Sequence, residues 1–180
     1  MTITHLIDNN IDTLQAAITL LETLPADRYT HVERPYFESS LGKHLRHIVD
    51  HYLCFQRDLE AGIIDYDQRL RDSQLESDRD YAINVIRTLQ SYLKTLKTTV
   101  STIAEPDRTL NVLMCNDVDM PRGQMTHSSL GRELQFLQGH TVHHFALMAA
   151  MVRISGLHVD NDFGVAPSTL VHEKTVKVSA

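Results

Sequence analysis

The stretch SSLGRELQFLQGHTVHHFALMAAMVRI, residues 128–154, decides the fold. Leu130, Leu134, Leu137, Thr141, His144, Phe145 and Met148 recur at three- and four-residue steps, the period of an amphipathic helix. Ser128 or Ser129 can cap its start, Glu133 falls in its first turns, and Gly156 follows its end. Three other segments repeat the pattern. Residues 3–24 carry Ile7, Ile11, Leu14, Ile18 and Leu21 on one face, and Pro25 closes them. Residues 39–61 carry Leu41, Leu45, Ile48, Tyr52, Phe55 and Leu59, with Ser39 or Ser40 as cap and Gly62 beyond the end. Residues 79–103 carry Ala82, Val85, Ile86, Leu89, Leu93, Leu96 and Val100, and Glu105-Pro106 stops them. Glycine (7) and proline (5) are too scarce to interrupt such helices often. Four amphipathic helices of about 20 residues each predict an all-α chain folded as a four-helix bundle.

The remaining segments read as connections. Residues 25–37 hold Pro25 and Pro35, and the polar run DYDQRLRDSQLES at 65–77 links the second and third helices. Residues 107–127 break the helical period. Val112 and Met114, followed by turn-formers at 119–123, predict a short irregular or β-hairpin segment before the last long helix. The tail, residues 155–180, has turn-formers and no clear period. A chain of 180 residues fits one domain, 1–180, with the bundle at about 3–154 and the tail packed on it or extending from it.

Composition removes several function classes. The formal net charge of -6 argues against nucleic acid, whose phosphates need a basic surface. No apolar run approaches the roughly 18 residues of a membrane span. The opening MTITHLIDNN lacks a basic run leading into an apolar one, so no secretory signal is expected. Cys54 and Cys115 form no CxxC pair, which gives a reducing cytoplasm as the expected setting.

Histidine is the chemistry-bearing residue, with 11 in the chain. KHLRHIVDHY places His44, His47 and His51 within about 60° of one another on a helical wheel. GHTVHH places His140 and His144 about 40° apart, while His143 turns about 100° away from His144. Both sets border an apolar stripe, so two helices can bring imidazoles together. Imidazole suits Zn, Ni, Fe or Cu, and three histidines around an open position make a catalytic metal site. HExxH is absent, as are paired Glu-x-x-His motifs, EF-hand loops and Walker A loops, which leaves a histidine-rich mononuclear site. Asp50 and Glu133 are candidate partners for the outer N–H of a ligand histidine. Met114, Met120, Met125, Met148 and Met151 read as core filling. Ordinary imidazoles titrate near 6.5, so metal affinity should fall between about pH 7 and pH 5.

Ser40, seven residues before His47-Ile48-Val49-Asp50, and the pair His140-x3-His144 resemble the two motifs of the DinB/YfiT-like family of metalloenzymes. The segments Gly42 to Tyr52, Arg132 to Phe136, His140 to His144 and Asp162 to Thr169 resemble one of its subgroups. The resemblance implies a four-helix bundle holding a divalent metal ion (Zn, Ni, Fe or Mn) through His47, His140 and His144. His51 is the alternative ligand from the second helix, since it lies nearer the core by wheel geometry. It also implies an unknown small-molecule substrate and thiol-dependent transfer or hydrolysis. The alternatives are a non-catalytic metal-binding or stress-associated module acting as a homodimer, and a helical interaction protein. No catalytic residue beyond the ligands is assigned.

Overall fold

The computed structural model describes residues 2–103, 106–119 and 123–178, with side chains to residue 176. Glu105, read above as part of a helix stop, Met120, and residues 120–122 of the expected turn lie outside the described residues. Among the described residues there are six α-helices, a 3-10 turn at Ala26–Arg28 and three strands.

Four helices are long: α1 (Ile3–Thr23), α2 (Leu41–Asp58), α4 (Arg79–Val100) and α5 (Leu130–Ile154), with a one-turn α3 (Ser73–Ser77) before α4. Each long helix starts at a side chain that accepts a backbone N–H otherwise left without a partner. Thr2 caps α1, Ser40 caps α2 through Lys43 N at 3.2 Å, Asp78 caps α4 through Tyr81 N at 2.9 Å, and Ser129 caps α5. The apolar stripes expected from the sequence face inward. Leu14, Leu45, Ile86 and Leu134 are among residues with no exposed surface, and together they join one core. Packing runs α1 on α4 and α5, and α2 on α4 and α5.

One polar tie crosses that core. Asn10 on α1 donates to the carbonyls of Leu6 (2.8 Å) and Leu134 (3.0 Å), and its own side-chain oxygen accepts from Tyr52 on α2 at 2.7 Å. An amide buried this deeply is tolerated because its groups are paired. It locks α1, α2 and α5 into one register.

The all-α expectation needs correction. The strands β1 (Ile63–Asp65), β2 (Thr109–Met114) and β3 (Gln124–Ser129) form a sheet in the order β1-β2-β3. β2 and β3 are antiparallel, Thr109 opposite Ser129, as the expected hairpin requires. β1 is parallel to β2, with Ile64 opposite Val112, and was not expected. Three residues are too few to carry a readable alternation, and this strand is held by hydrogen bonds to a partner distant in sequence. The tail also differs from expectation, because it ends in α6 (Pro167–Val178). Pro167 suits a helix's first position, where no N–H is needed. Just before it, Phe163 stacks on Phe145 of α5 with ring centres 4.4 Å apart. Gly164, at φ +79°, lies so close to α5 that a Cβ there would fall 2.4 Å from Ala146 N.

β3 runs directly into α5, and β1 leads into the loop at residues 66–72. These two junctions frame the point where α2 meets α5.

Candidate metal centre

α2 and α5 bring five imidazoles into one group. His47 lies 4.6 Å from His51, 5.0 Å from His140 and 4.8 Å from His144, measured between ring centres. His140 is 4.3 Å from His51 and 4.7 Å from His144. His47 and His140 are therefore central, with His51 and His144 on opposite flanks. His44 adjoins the His144 flank at 5.3 Å. The side chains of His47, His51 and His140 can each aim a nitrogen so that the three lie within 4.8 Å of one another. His143 is exposed and touches the group only edge-on to His144.

Hydrogen bonds decide which nitrogens remain free. His51 is buried, and its Nδ1 is 2.7 Å from the carbonyl oxygen of His47 one turn earlier. Only a protonated Nδ1 can donate there, so Nε2 carries the lone pair. His144 Nδ1 faces His44 Nδ1 at 3.0 Å, and His44 Nε2 meets Ser39 Oγ at 2.7 Å. Nδ1 of His47 lies 3.1 Å from Nη1 of Arg69. Nε2 of His140 is buried with no hydrogen-bond partner. An imidazole nitrogen left so is costly unless something else takes its lone pair.

The electrostatics keep these rings neutral. Burial first, then His51, His144 and Arg69, lowers the pKa of His47 from 6.5 to about 3. Burial first, then His51, His144 and His47, lowers His140 to about 3. Burial and His44 lower His144 to about 4, and burial also lowers His44 and His51. The expectation of ordinary imidazoles titrating near 6.5 is thereby corrected: crowded, half-buried rings hold free lone pairs well below neutral pH. Neutral nitrogen donors, one of them orphaned, fit a divalent transition-metal ion.

Asp50 and Glu133 sit beside this group but bond elsewhere. Asp50 is buried, held by Arg46 at 3.3 Å and by the backbone N–H of Arg71 at 3.3 Å. Burial raises its pKa and Arg46 opposes the rise. Glu133 accepts from Tyr66 at 2.8 Å and from the Ser128 hydroxyl. It reaches the histidines through Tyr66, whose ring stacks on His51 at 5.5 Å. Phe136 completes that wall, 5.6 Å from His140 and 6.0 Å from His51. Met148 and Met151 fill the core as expected, whereas Met125 is exposed. Cys115 is exposed in the segment after β2.

Sequence reasoning missed Tyr66, Arg69 and Ser39. Tyr66 and Arg69 lie in a polar run with no period, and contacts distant in sequence, the pairing of β1 with β2 and the bonds from Arg57 to the carbonyls of Asp65 and Gln68, hold that run against α2. The signal available for Ser39 was its spacing of five residues before His44, which a helix cap alone also explains.

A curated protein of Rhizopus delemar (strain RA 99-880 / ATCC MYA-4621 / FGSC 9543 / NRRL 43880), FK506-binding protein 5, is 33% identical over 112 residues. Those residues make 62% of this chain and only 28% of that protein's length. No solved structure matches the chain. No described helix is long and apolar enough to cross a membrane. The sequence profile of the DinB family matches residues 1–166, a span that includes every histidine of the group, and the chain belongs to that family.

Proposed function

We propose that this chain is a metal-dependent enzyme whose divalent ion is held by His47, His51 and His140. One observation carries the reading: three donor nitrogens converge within 4.8 Å, and Nε2 of His140 is buried without a partner. Membership of the DinB family, with its metal-binding helical proteins, supports it. In this reading α1, α2, α4 and α5 form a DinB-type four-helix bundle. The chain is then one domain, with Phe163 and Gly164 seated against α5.

A divalent ion in such a site supplies Lewis acidity, which suits hydrolysis or thiol-dependent transfer. The chain's own residues prepare that site. The His47 carbonyl holds the His51 ring so that Nε2 faces the other imidazoles. Tyr66, tethered by Glu133, and Phe136 wall one side against water. His47, His140 and His144 are half-buried, so the opposite side of the group keeps some contact with solvent. Three neutral ligands leave the ion its full charge.

A second ligand set has its own support. His144 lies 4.7 Å from His140 and 4.8 Å from His47, and His140-x3-His144 is the pattern that resembles the family's. Calorimetric titration of Co2+ or Zn2+ into single alanine variants separates the two. His47→Ala and His140→Ala should abolish binding in either case. The larger loss between His51→Ala and His144→Ala identifies the third ligand. Loaded protein is then tested on ester and thiol substrates. Turnover that a chelator removes supports the enzyme reading, and loading without turnover points to a non-catalytic metal-binding module.

A further inference from the structure

Arg69 stands where the metal reading would not put a cation. Its Nη1 is 3.1 Å from Nδ1 of His47, and its Nε is buried with no hydrogen-bond partner. Among the described residues no ion pair involves Arg69, whereas nearby Arg46 pairs with both Asp50 and Glu76. Asp50, the buried carboxylate of this region, is already met by Arg46 and by the Arg71 N–H. A half-buried guanidinium thus faces the histidine group with no carboxylate in ion-pair contact, and Asp50 acts on it only from a distance. Such a group is costly unless an anion meets it.

The hydrogen-bond chemistry of His47 sharpens the point. Arginine only donates, so Nδ1 of His47 must be the acceptor in this contact. An ion taken at Nδ1 needs the same lone pair. An ion taken at Nε2 leaves the ring proton on Nδ1, where it opposes the N–H of Arg69. In both cases Arg69 must let go of His47 when the ion binds. The released guanidinium then offers Nη and the already unpartnered Nε as a fork beside a divalent cation.

We propose that Arg69 is an anion-binding residue of this site, and that the ligand or substrate it takes carries a small oxyanion, a carboxylate or phosphate group, held between Arg69 and the metal. The fork geometry of Nε and Nη matches the two oxygens of such a group. Tyr66 and Phe136 lie on the His51 side, and Arg69 meets half-buried His47, so the anion is taken beside His47. This inference rests on the metal-site reading above and adds the class of ligand to it.

The test uses full-length protein loaded with Co2+, whose visible absorption reports its coordination. Acetate and methyl phosphate are titrated separately into wild type, Arg69→Gln and Arg69→Lys, with acetamide as the neutral control. In wild type at least one anion should change the spectrum saturably while acetamide does not. A hydrogen-bonded charge pair contributes about 1.5–3 kcal/mol, so Arg69→Gln should weaken that anion about tenfold or more. Arg69→Lys, which keeps the charge and loses the fork, should fall between the two. Which anion responds identifies a carboxylate or a phosphate. Without anions, Arg69→Gln should bind Co2+ at least as tightly as wild type, because a competing cation has been removed. Equal anion affinity in all three proteins, or no anion response in loaded wild type, overturns the proposal and leaves the metal site standing. Failure of wild type to load Co2+ overturns both.

Discussion

Tyr52 and Asn10 show what a single buried polar contact contributes. Tyr52 donates to the Asn10 side chain at 2.7 Å, and both residues are buried. Tyr52→Phe keeps the ring and removes the donor, leaving the Asn10 oxygen without that partner. A loss of about 1–3 kcal/mol is expected. Urea unfolding reads it directly, and an unchanged midpoint would mean that the tie adds nothing. The histidines predict a pH dependence for the metal-free protein. In the unfolded chain their pKa is 6.5, whereas in the fold His47 and His140 lie at about 3 and His144 at about 4. The unfolded state therefore binds more protons between those values, and stability rises with pH across that window. The contribution is complete above about pH 6.5 and is lost as pH falls toward about 3. With chelator present, the unfolding free energy of wild type should fall more steeply between pH 6.5 and pH 4 than that of His140→Gln. Identical slopes would contradict the depressed pKa of His140. The same shift means that ion binding near pH 6 releases few protons, and that release grows near pH 4.

The elements divide into those that propensity and period specify and those that tertiary contacts specify. α1, α2, α4 and α5 were legible because each repeats its apolar stripe over several turns between a capping side chain and a stop. β1, α3 and α6 were not. Ile63–Asp65 becomes a strand only by pairing with Asn111 to Leu113, and Ser73–Ser77 is one turn held beneath α2. That last contact is tight enough to test. A Cβ on Gly42 would fall 2.1 Å from the backbone carbonyl oxygen of Glu76. Backbone yields less readily than a side chain, so Gly42→Ala should cost about 1–3 kcal/mol even though alanine favours helix. Thermal unfolding of this variant at or above the wild-type temperature would show that α3 moves aside freely. Because the loop from β1 to α3 carries Tyr66, whose ring stacks on the ligand His51, a shifted α3 should also weaken metal binding.

At the scale of the whole molecule, the site is where two helices and one loop converge. The helical half of it was legible: spacing alone put His47, His51, His140 and His144 at the edges of two stripes. Which three of them converge was not, because a helical wheel gives angles within one helix and says nothing of the depth at which two helices cross. The ordering of His51 depends on a carbonyl one turn away, and that of His144 on His44, neither of which a motif specifies. The loop half was not legible, since Arg69 reaches His47 from a run without period that contacts distant in sequence hold against α2. The central claim, a divalent ion held through His140 and its neighbours, is tested most directly by elemental analysis and Co2+ calorimetry on untagged protein. Wild type should bind one ion per chain, and His140→Ala should bind none while its far-ultraviolet circular dichroism stays that of the wild type. Stoichiometric binding retained at wild-type affinity in His140→Ala, or no stoichiometric ion in wild type, would contradict the account.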